Sequence, residues 1–119
     1  MVTSQDLIDG YDLLFSPELR LAHEALLTFA AEVSEDGWPT NAMIWRFARC
    51  YDVPLAELAG LCGFLVYRLG NRTVFCDARR HPAHVHITSA DRFSRRALIA
   101  YGFYNTAAAL SQAEGAAVH

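Results

Sequence analysis

Residues 40–69 form the longest nearly continuous apolar stretch of the chain, TNAMIWRFARCYDVPLAELAGLCGFLVYRL, and they constrain the fold more than any other segment. Apolar side chains at three- and four-residue spacing in the first half predict one face of an α-helix; they are Met43, Ile44, Phe47, Ala48 and Tyr51. Asp52-Val53-Pro54 separates the halves, because proline opens a helix but does not continue one. Residues 55–69 are apolar almost all the way round, which predicts a second helix surrounded by protein.

Small residues occupy adjacent turns of that second predicted helix. They are Ala56, Ala59, Gly60 and Gly63. Small side chains let another helix approach closely. We therefore interpret these positions as packing devices.

The length of 119 residues and the hydrophobic content of 53 % predict one domain with one core. We place this domain at residues 1–111 and a frayed tail at 112–119, where apolar area is scarce. The apolar run 55–69 is shorter than the roughly 20 residues that span a bilayer, which favours a buried core helix. The acidic start MVTSQDLIDGYD lacks the pattern of a secretion signal, so a cytoplasmic location is expected.

Local signals predict three further helices and one hairpin. Helix starts are expected at residues 3–6, at Ser16-Pro17-Glu18 and at residues 89–91, where hydroxyl caps and acidic residues occur together. The helix after Ser16 has the predicted buried stripe Leu19, Ala22, Leu26, Phe29 and Val33. His23 lies beside that stripe and is expected to be a partly exposed surface histidine. Alternating apolar residues in Arg72–Asp77 and 83–88 predict a hairpin at about 72–88, closed by the charged turn Ala-Arg-Arg-His-Pro.

The predicted fold class is mainly α, strictly α+β. It is a five-helix single domain with one β-hairpin, and its elements follow a winged-helix-like order.

Charge is distributed unevenly along the chain. The formal net charge is −3, yet residues 1–36 carry eight acids against Arg20, and residues 72–119 carry six arginines against three acids. All ten basic residues are arginine, whose planar guanidinium suits carboxylate or phosphate partners. The predicted partner-binding residues are Arg79, Arg80, Arg92, Arg95 and Arg96. The two halves could equally neutralise each other within the fold or across a homodimer.

The densest set of reactive side chains is a C-x4-H-x2-H-x-H cluster, Cys76, His81, His84 and His86. If Cys76 lies opposite His84 on the hairpin, three of these side chains share the face away from the core. Nitrogen and sulfur ligands of this kind suit tetrahedral Zn²⁺. A solvated strand face that binds nothing is the alternative.

Sequence signatures of catalysis are absent: there is no nucleophile elbow, phosphate-binding glycine loop, dinucleotide fingerprint or paired helical histidines with a glutamate. This favours a non-enzymatic role and names no catalytic residue. An enzyme of unrecognised type, using Cys76 or His84, stays an alternative.

Asp77-Ala78-Arg79-Arg80 followed by Val85-His86-Ile87-Thr88 resembles the wing of MarR-type regulators, which implies a winged helix that binds DNA. The helix in the recognition position, however, offers almost no side chains that could hydrogen-bond to base edges.

Residues 37–77 also resemble the helical start of the 24-kDa iron–sulfur subunit of NADH dehydrogenases. The similarity rests on Gly37-Trp38, a helix, the Pro54-started helix and Cys76-Asp77. The other cluster cysteines of that family are missing, and a [2Fe–2S] centre generally needs four ligands. No such centre is expected.

The sequence therefore predicts a non-enzymatic regulator, adaptor or inhibitor that binds a protein partner through an Arg-rich hairpin turn and the last helix. One alternative is a DNA-binding winged-helix transcriptional regulator. Another is a zinc-stabilised binding module that uses Cys76 and the hairpin histidines.

Overall fold

The computed structural model describes the backbone of residues 14–77 and 95–118 and the side chains of residues 14–77 and 95–106. Within these residues the chain is helix-rich with one two-stranded antiparallel hairpin, a mixed α+β structure. The elements are α1 (Pro17–Val33), α2 (Asn41–Cys50), α3 (Leu55–Leu61), β1 (Phe64–Leu69), β2 (Arg72–Asp77) and α4 (Arg95–Val118). The described residues thus contain four helices, whereas the sequence predicts five. The remaining predicted helix, at residues 3–15, lies almost wholly outside them.

Helix α1 begins where the sequence predicts a start. The Ser16 hydroxyl accepts a hydrogen bond from the Leu19 amide at 3.2 Å, which satisfies one of the amides that a helix start leaves unpaired. The buried residues of α1 are Leu19, Ala22, Leu26 and Ala30. The prediction that Val33 is buried is wrong, since this residue lies in the last turn of α1 with 54 % of its surface exposed.

Helix α2 begins after Thr40, whose hydroxyl accepts a hydrogen bond from the Met43 amide at 3.3 Å. Ile44 and Ala48 are its buried residues. Beyond its end the chain turns at Asp52, a non-glycine residue with a φ of 52°. The next amide, that of Val53, donates to the Ala48 carbonyl at 3.0 Å and closes the turn that leads into α3.

Helix α3 ends at Leu61, eight residues earlier than predicted. The Cys62 and Gly63 amides donate to carbonyls three residues back, at 3.0 and 3.1 Å. Gly63 adopts a φ of 86°, the left-handed conformation with which many helices end. The helical prediction for residues 64–69 is wrong, because a strand that is buried on both faces has the same unbroken apolar character as a buried helix.

The hairpin pairs β1 with β2, from Phe64 opposite Asp77 to Leu69 opposite Arg72. Gly70 and Asn71 connect the strands. Gly70 has a φ of 64°, the positive value that a type II′ turn requires at its first central position. Arg72–Asp77 is therefore a strand, as predicted, but its partner in the described residues is the strand before it. The predicted partner, 83–88, lies outside those residues.

Apolar layers cover both faces of the hairpin. On one face, Leu65 and Cys76 pack with Tyr67 and with two residues of α4, Leu98 and Tyr101. The other face belongs to the main core, to which the hairpin contributes Phe64, Val66 and Phe75. This alternation follows the two-residue period of a strand.

Helix α4 packs against α3 at Gly60. A β-carbon at this position would lie 2.9 Å from the Ala100 β-carbon and 2.9 Å from the Ala97 carbonyl oxygen, distances that real β-carbons essentially never show. The predicted role of small residues in close helix approach is confirmed at Gly60. Gly63, in contrast, is the residue that stops α3.

Helix α4 runs to Val118 and so includes residues 112–118, where the sequence predicts a frayed tail. The fraying and the single domain over residues 1–111 stay predictions. Among the helices in the described part of the chain, none is long and apolar enough to cross a membrane.

Candidate partner-binding surface

Two of the five predicted partner-binding arginines, Arg95 and Arg96, lie in the described part of the chain, and both belong to the first turn of α4. Arg95 is exposed. The other three, Arg79, Arg80 and Arg92, lie outside the described residues, so a shared surface of the five stays a prediction.

Arg96 joins three segments of the molecule. Its Nε donates to Glu57 Oε1 at 2.6 Å, and its Nη2 donates to the Leu14 carbonyl at 2.8 Å. The guanidinium carbon lies 5.8 Å from the centre of the Phe15 ring. The Glu57 side chain is 11 % exposed and that of Arg96 is 54 % exposed. Arg96 therefore neutralises a nearly buried carboxylate while part of its side chain stays at the surface.

The described hairpin has an arginine-flanked tip of its own. Arg68 and Arg72 are exposed on either side of the turn, and Leu69 between them is 56 % exposed. Leu69 lies opposite Arg72 in the strand register, so both side chains project from the same face. We call Arg68, Leu69 and Arg72 the hairpin tip. The arginine-rich hairpin turn that the sequence predicts at residues 79–80 lies outside the described residues and stays a prediction.

Cys76, the first residue of the predicted metal cluster, lies on β2 beneath α4 and is 7 % exposed. The expectation that it faces away from the core is wrong. Burial, and secondly the Asp77 carboxylate, raise the pKa of its thiol, which opposes the thiolate form that metals bind. His81, His84 and His86 lie outside the described residues. Among the described side chains, those of residues 14–77 and 95–106, no three His, Cys, Asp or Glu residues are grouped to hold a metal ion.

Helix α3 is the helix that the sequence predicts in the recognition position of a winged helix, an order of elements that stays a prediction. It is seven residues long, and Glu57, Leu58, Ala59, Gly60 and Leu61 are all buried. A helix that reads DNA must insert exposed polar side chains into the major groove. The geometry of α3 does not allow this.

The outer face of α2 forms a second exposed surface, which the sequence analysis passed over. Trp45 is 41 % exposed there, and Arg46 and Arg49 beside it are exposed. These residues, together with Ala42 and Cys50, line a shallow groove of about 760 Å³. The signal was a tryptophan on the polar side of an otherwise amphipathic helix.

A further groove, of about 840 Å³, lies between the α1–α2 connection and the hairpin. Its aromatic lining residues are Trp38, Phe64 and Phe75. Its acidic lining residues are Glu35, Asp36 and Asp77. Its volume is in the range of small-molecule sites. The charge of these walls favours cationic over anionic groups.

His23 is half-buried, and its ring bonds to the backbone of another helix. Its ring forms a hydrogen bond with the backbone of Leu61, at the end of α3. Burial lowers its pKa from 6.5 to about 4, and the hydrogen bond opposes this shift only in part. The expected surface histidine is therefore a neutral group that caps a buried helix end.

Comparison with known proteins gives no match: no family model, no curated protein and no solved structure is similar to this chain.

Proposed function

We propose that this protein is a non-enzymatic regulator, adaptor or inhibitor that binds a protein partner through arginines of a hairpin turn and the last helix. The observation that carries the proposal is the hairpin tip, where Leu69 is 56 % exposed between two exposed arginines. An exposed leucine flanked by arginines offers an apolar contact beside charged hydrogen-bond donors, and arginine is enriched at protein interfaces.

The composition of the hairpin tip suits a protein partner with carboxylates near an apolar pocket. Leu69 supplies the apolar contact, and the guanidinium groups of Arg68 and Arg72 supply planar donors for carboxylates. Arginine is enriched among the residues that contribute most to interfaces. Arg95 is exposed and stays in the proposal, as do Arg79, Arg80 and Arg92. Arg96 has its Nε bound to Glu57, so we assign it a smaller part.

Two other functions are less well supported. Net acidity and the burial of α3 oppose DNA reading, and the burial of Cys76 opposes a zinc site. We also propose that the protein has a degenerate winged-helix architecture and a cytoplasmic location.

The test is affinity capture from the native host with the full chain, read by mass spectrometry. Arg68→Glu together with Arg72→Glu reverses both charges of the hairpin tip, and we expect the main captured protein to be lost. The matched control is Arg46→Glu together with Arg49→Glu, which makes the same charge change on α2 and should retain that protein. A third variant, Arg79→Glu with Arg80→Glu, tests whether the predicted turn contributes.

The proposal is contradicted if the hairpin-tip variant, folded by circular dichroism, captures the same proteins as the wild type. Duplex DNA binding that weakens steeply with salt would favour the regulator alternative instead.

A further inference from the structure

Helix α2 presents an exposed cationic surface with an aromatic centre, which we call the basic surface of α2: Trp45, Arg46 and Arg49. Trp45 packs on one side against the Phe75 ring, with centroids 6.0 Å apart. The Arg46 guanidinium lies 6.0 Å from the Phe29 ring of α1, which places it at the boundary between the two helices. Within the described residues, neither Arg46 nor Arg49 has an ion pair. The charges of Arg46 and Arg49 are therefore exposed to solvent without an ion-pair partner among the described residues.

Helix α1 presents the opposite pattern on its outer face, which we call the acidic surface of α1: Glu18, Leu21, Glu24, Thr28 and Glu32. All five residues are exposed, and Leu21 is 58 % exposed. Their spacing of three and four residues places them along one side of the helix. An exposed leucine with glutamates one turn away on each side complements an exposed tryptophan with arginines beside it.

The charges of the two helices are equal and opposite. Helix α1 carries three glutamates against Arg20, a balance of −2. Helix α2 carries Arg46 and Arg49 and no acid, a balance of +2. Because the chain displays both complementary surfaces, two copies can pair the acidic surface of one with the basic surface of the other, and no foreign partner is needed.

The geometry points to a second copy of this chain as the occupant: we propose a two-fold dimer in which the acidic surface of α1 contacts the basic surface of α2 of the partner. Helices α1 and α2 pack side by side, with the Phe29 and Phe47 rings 5.5 Å apart. A two-fold axis near the boundary of α1 and α2 would form the contact between α1 of one copy and α2 of the other twice in the dimer. Exposed large apolar side chains also concentrate here: of the seven in the described residues, Leu21, Val33, Trp45 and Tyr51 lie on these helices or directly after α2.

The dimer is independent of the hairpin tip, so the test separates it from the proposed function. Sedimentation velocity of the full chain should show a dimer at about 50 mM salt that weakens at about 500 mM, where screening is strong. Arg46→Glu with Arg49→Glu should raise the dimer dissociation constant by roughly tenfold or more, because both contacts become repulsive. Glu18→Arg with Glu24→Arg should do the same. Arg68→Glu with Arg72→Glu is the matched control and should leave the dimer unchanged.

Mixing the two dimer-breaking variants is the decisive measurement. One has two acidic surfaces and the other two basic ones, so an equimolar mixture should restore a heterodimer, while each variant alone stays monomeric. A wild type that is monomeric at low salt overturns the proposal. So does a dimer that survives both double substitutions, or a mixture of folded variants that does not associate. An acidic foreign protein bound at α2 of a monomer would assign that surface to a different partner.

Discussion

His23 shows how a polar side chain can support the fold from half-buried surroundings. The C-terminal carbonyls of a helix have no partner within the helix. At the end of α3, the His23 ring hydrogen-bonds to the Leu61 backbone, and the Trp38 indole N–H donates to the Cys62 carbonyl at 2.9 Å. Two aromatic donors from different segments thus satisfy a helix end that lies inside the protein.

The lowered pKa of His23 predicts a pH dependence of stability. The unfolded chain takes up a proton near pH 6.5 and the folded chain near pH 4, so the unfolded state binds more protons between these values. The free energy of unfolding should therefore be intact above about pH 6.5 and fall by about 3 kcal/mol on reaching pH 4. Urea denaturation across this range measures it.

His23→Gln is the control, since glutamine keeps an N–H donor and does not titrate. The difference between the two pH profiles isolates His23, because every other histidine is common to both proteins. Parallel profiles would mean that His23 titrates normally in the folded state.

Sequence patterns locate such residues poorly, because their roles depend on distant groups. His23 lies at the edge of the buried stripe of α1, and its neighbours in sequence are like those of any residue between the core and the surface. Its acceptor lies 38 positions further along the chain. Trp45 could have been noticed from its place on the polar side of α2, whereas the matching surface of α1 requires knowing which face each helix buries.

At the scale of elements, the contact between α3 and α4 depends on the missing side chain at Gly60. The nearest atoms to a β-carbon there include backbone, the Ala97 carbonyl oxygen and the Tyr101 amide nitrogen. Backbone of a packed helix cannot move aside as a flexible side chain can, so the two helices would have to separate.

Gly60→Ala should therefore destabilise the protein by about 1–3 kcal/mol, the usual cost of overpacking a core. Gly102→Ala is the matched control. Gly102 also lies inside a helix but has nothing within 4 Å of an added β-carbon, so alanine should stabilise α4 by roughly 0.5–1 kcal/mol. Chemical denaturation of both variants gives the comparison, and equal effects would contradict the close packing at Gly60.

Elements with local signals at their ends were predicted well, and the boundary without one was missed. Ser16 and Thr40 cap α1 and α2 through their own neighbouring amides, which a sequence shows directly. The change from α3 to β1 depends on Gly63 adopting a positive φ, and glycine inside an apolar run is equally compatible with helix packing. The Gly70-Asn71 pair directly before the alternating segment Arg72–Asp77 was the available clue, because it suits a type II′ turn.

At the scale of the whole molecule, Arg96 links parts of the chain that are far apart in sequence. It connects α4 with Glu57 in α3 and with the Leu14 carbonyl before α1. Breaking an ion pair from one side leaves a poorly hydrated carboxylate, which costs more than the net value of the pair.

Arg96→Met should lower the free energy of unfolding by about 1–3 kcal/mol, and more than Glu57→Gln does, because the first leaves a charge uncompensated. The double variant should cost less than the sum of the single ones, with a coupling of at least about 0.5 kcal/mol. Denaturation of all four proteins measures this cycle. Additive effects would show that the two side chains do not stabilise each other.

The overall α+β character and the apolar centre could be predicted from composition and periodicity. The relative positions of the elements could not, because they depend on the close approach at Gly60 and on the long-range contacts of Arg96. The arginine-rich surface at Arg79, Arg80 and Arg92 stays a prediction, because these residues lie outside the described part of the chain.

The shortness of α3 has a consequence for how the chain is made. A seven-residue helix is not stable alone in water, and at Gly60 the atoms nearest to α3 belong to residues 97–101 of α4. During synthesis from the N-terminus, the apolar centre must therefore wait for the last helix to leave the ribosome before it can be covered. Until then the apolar stretch of residues 40–69 is exposed in the nascent chain and prone to aggregation. Chaperone protection matters most during this interval.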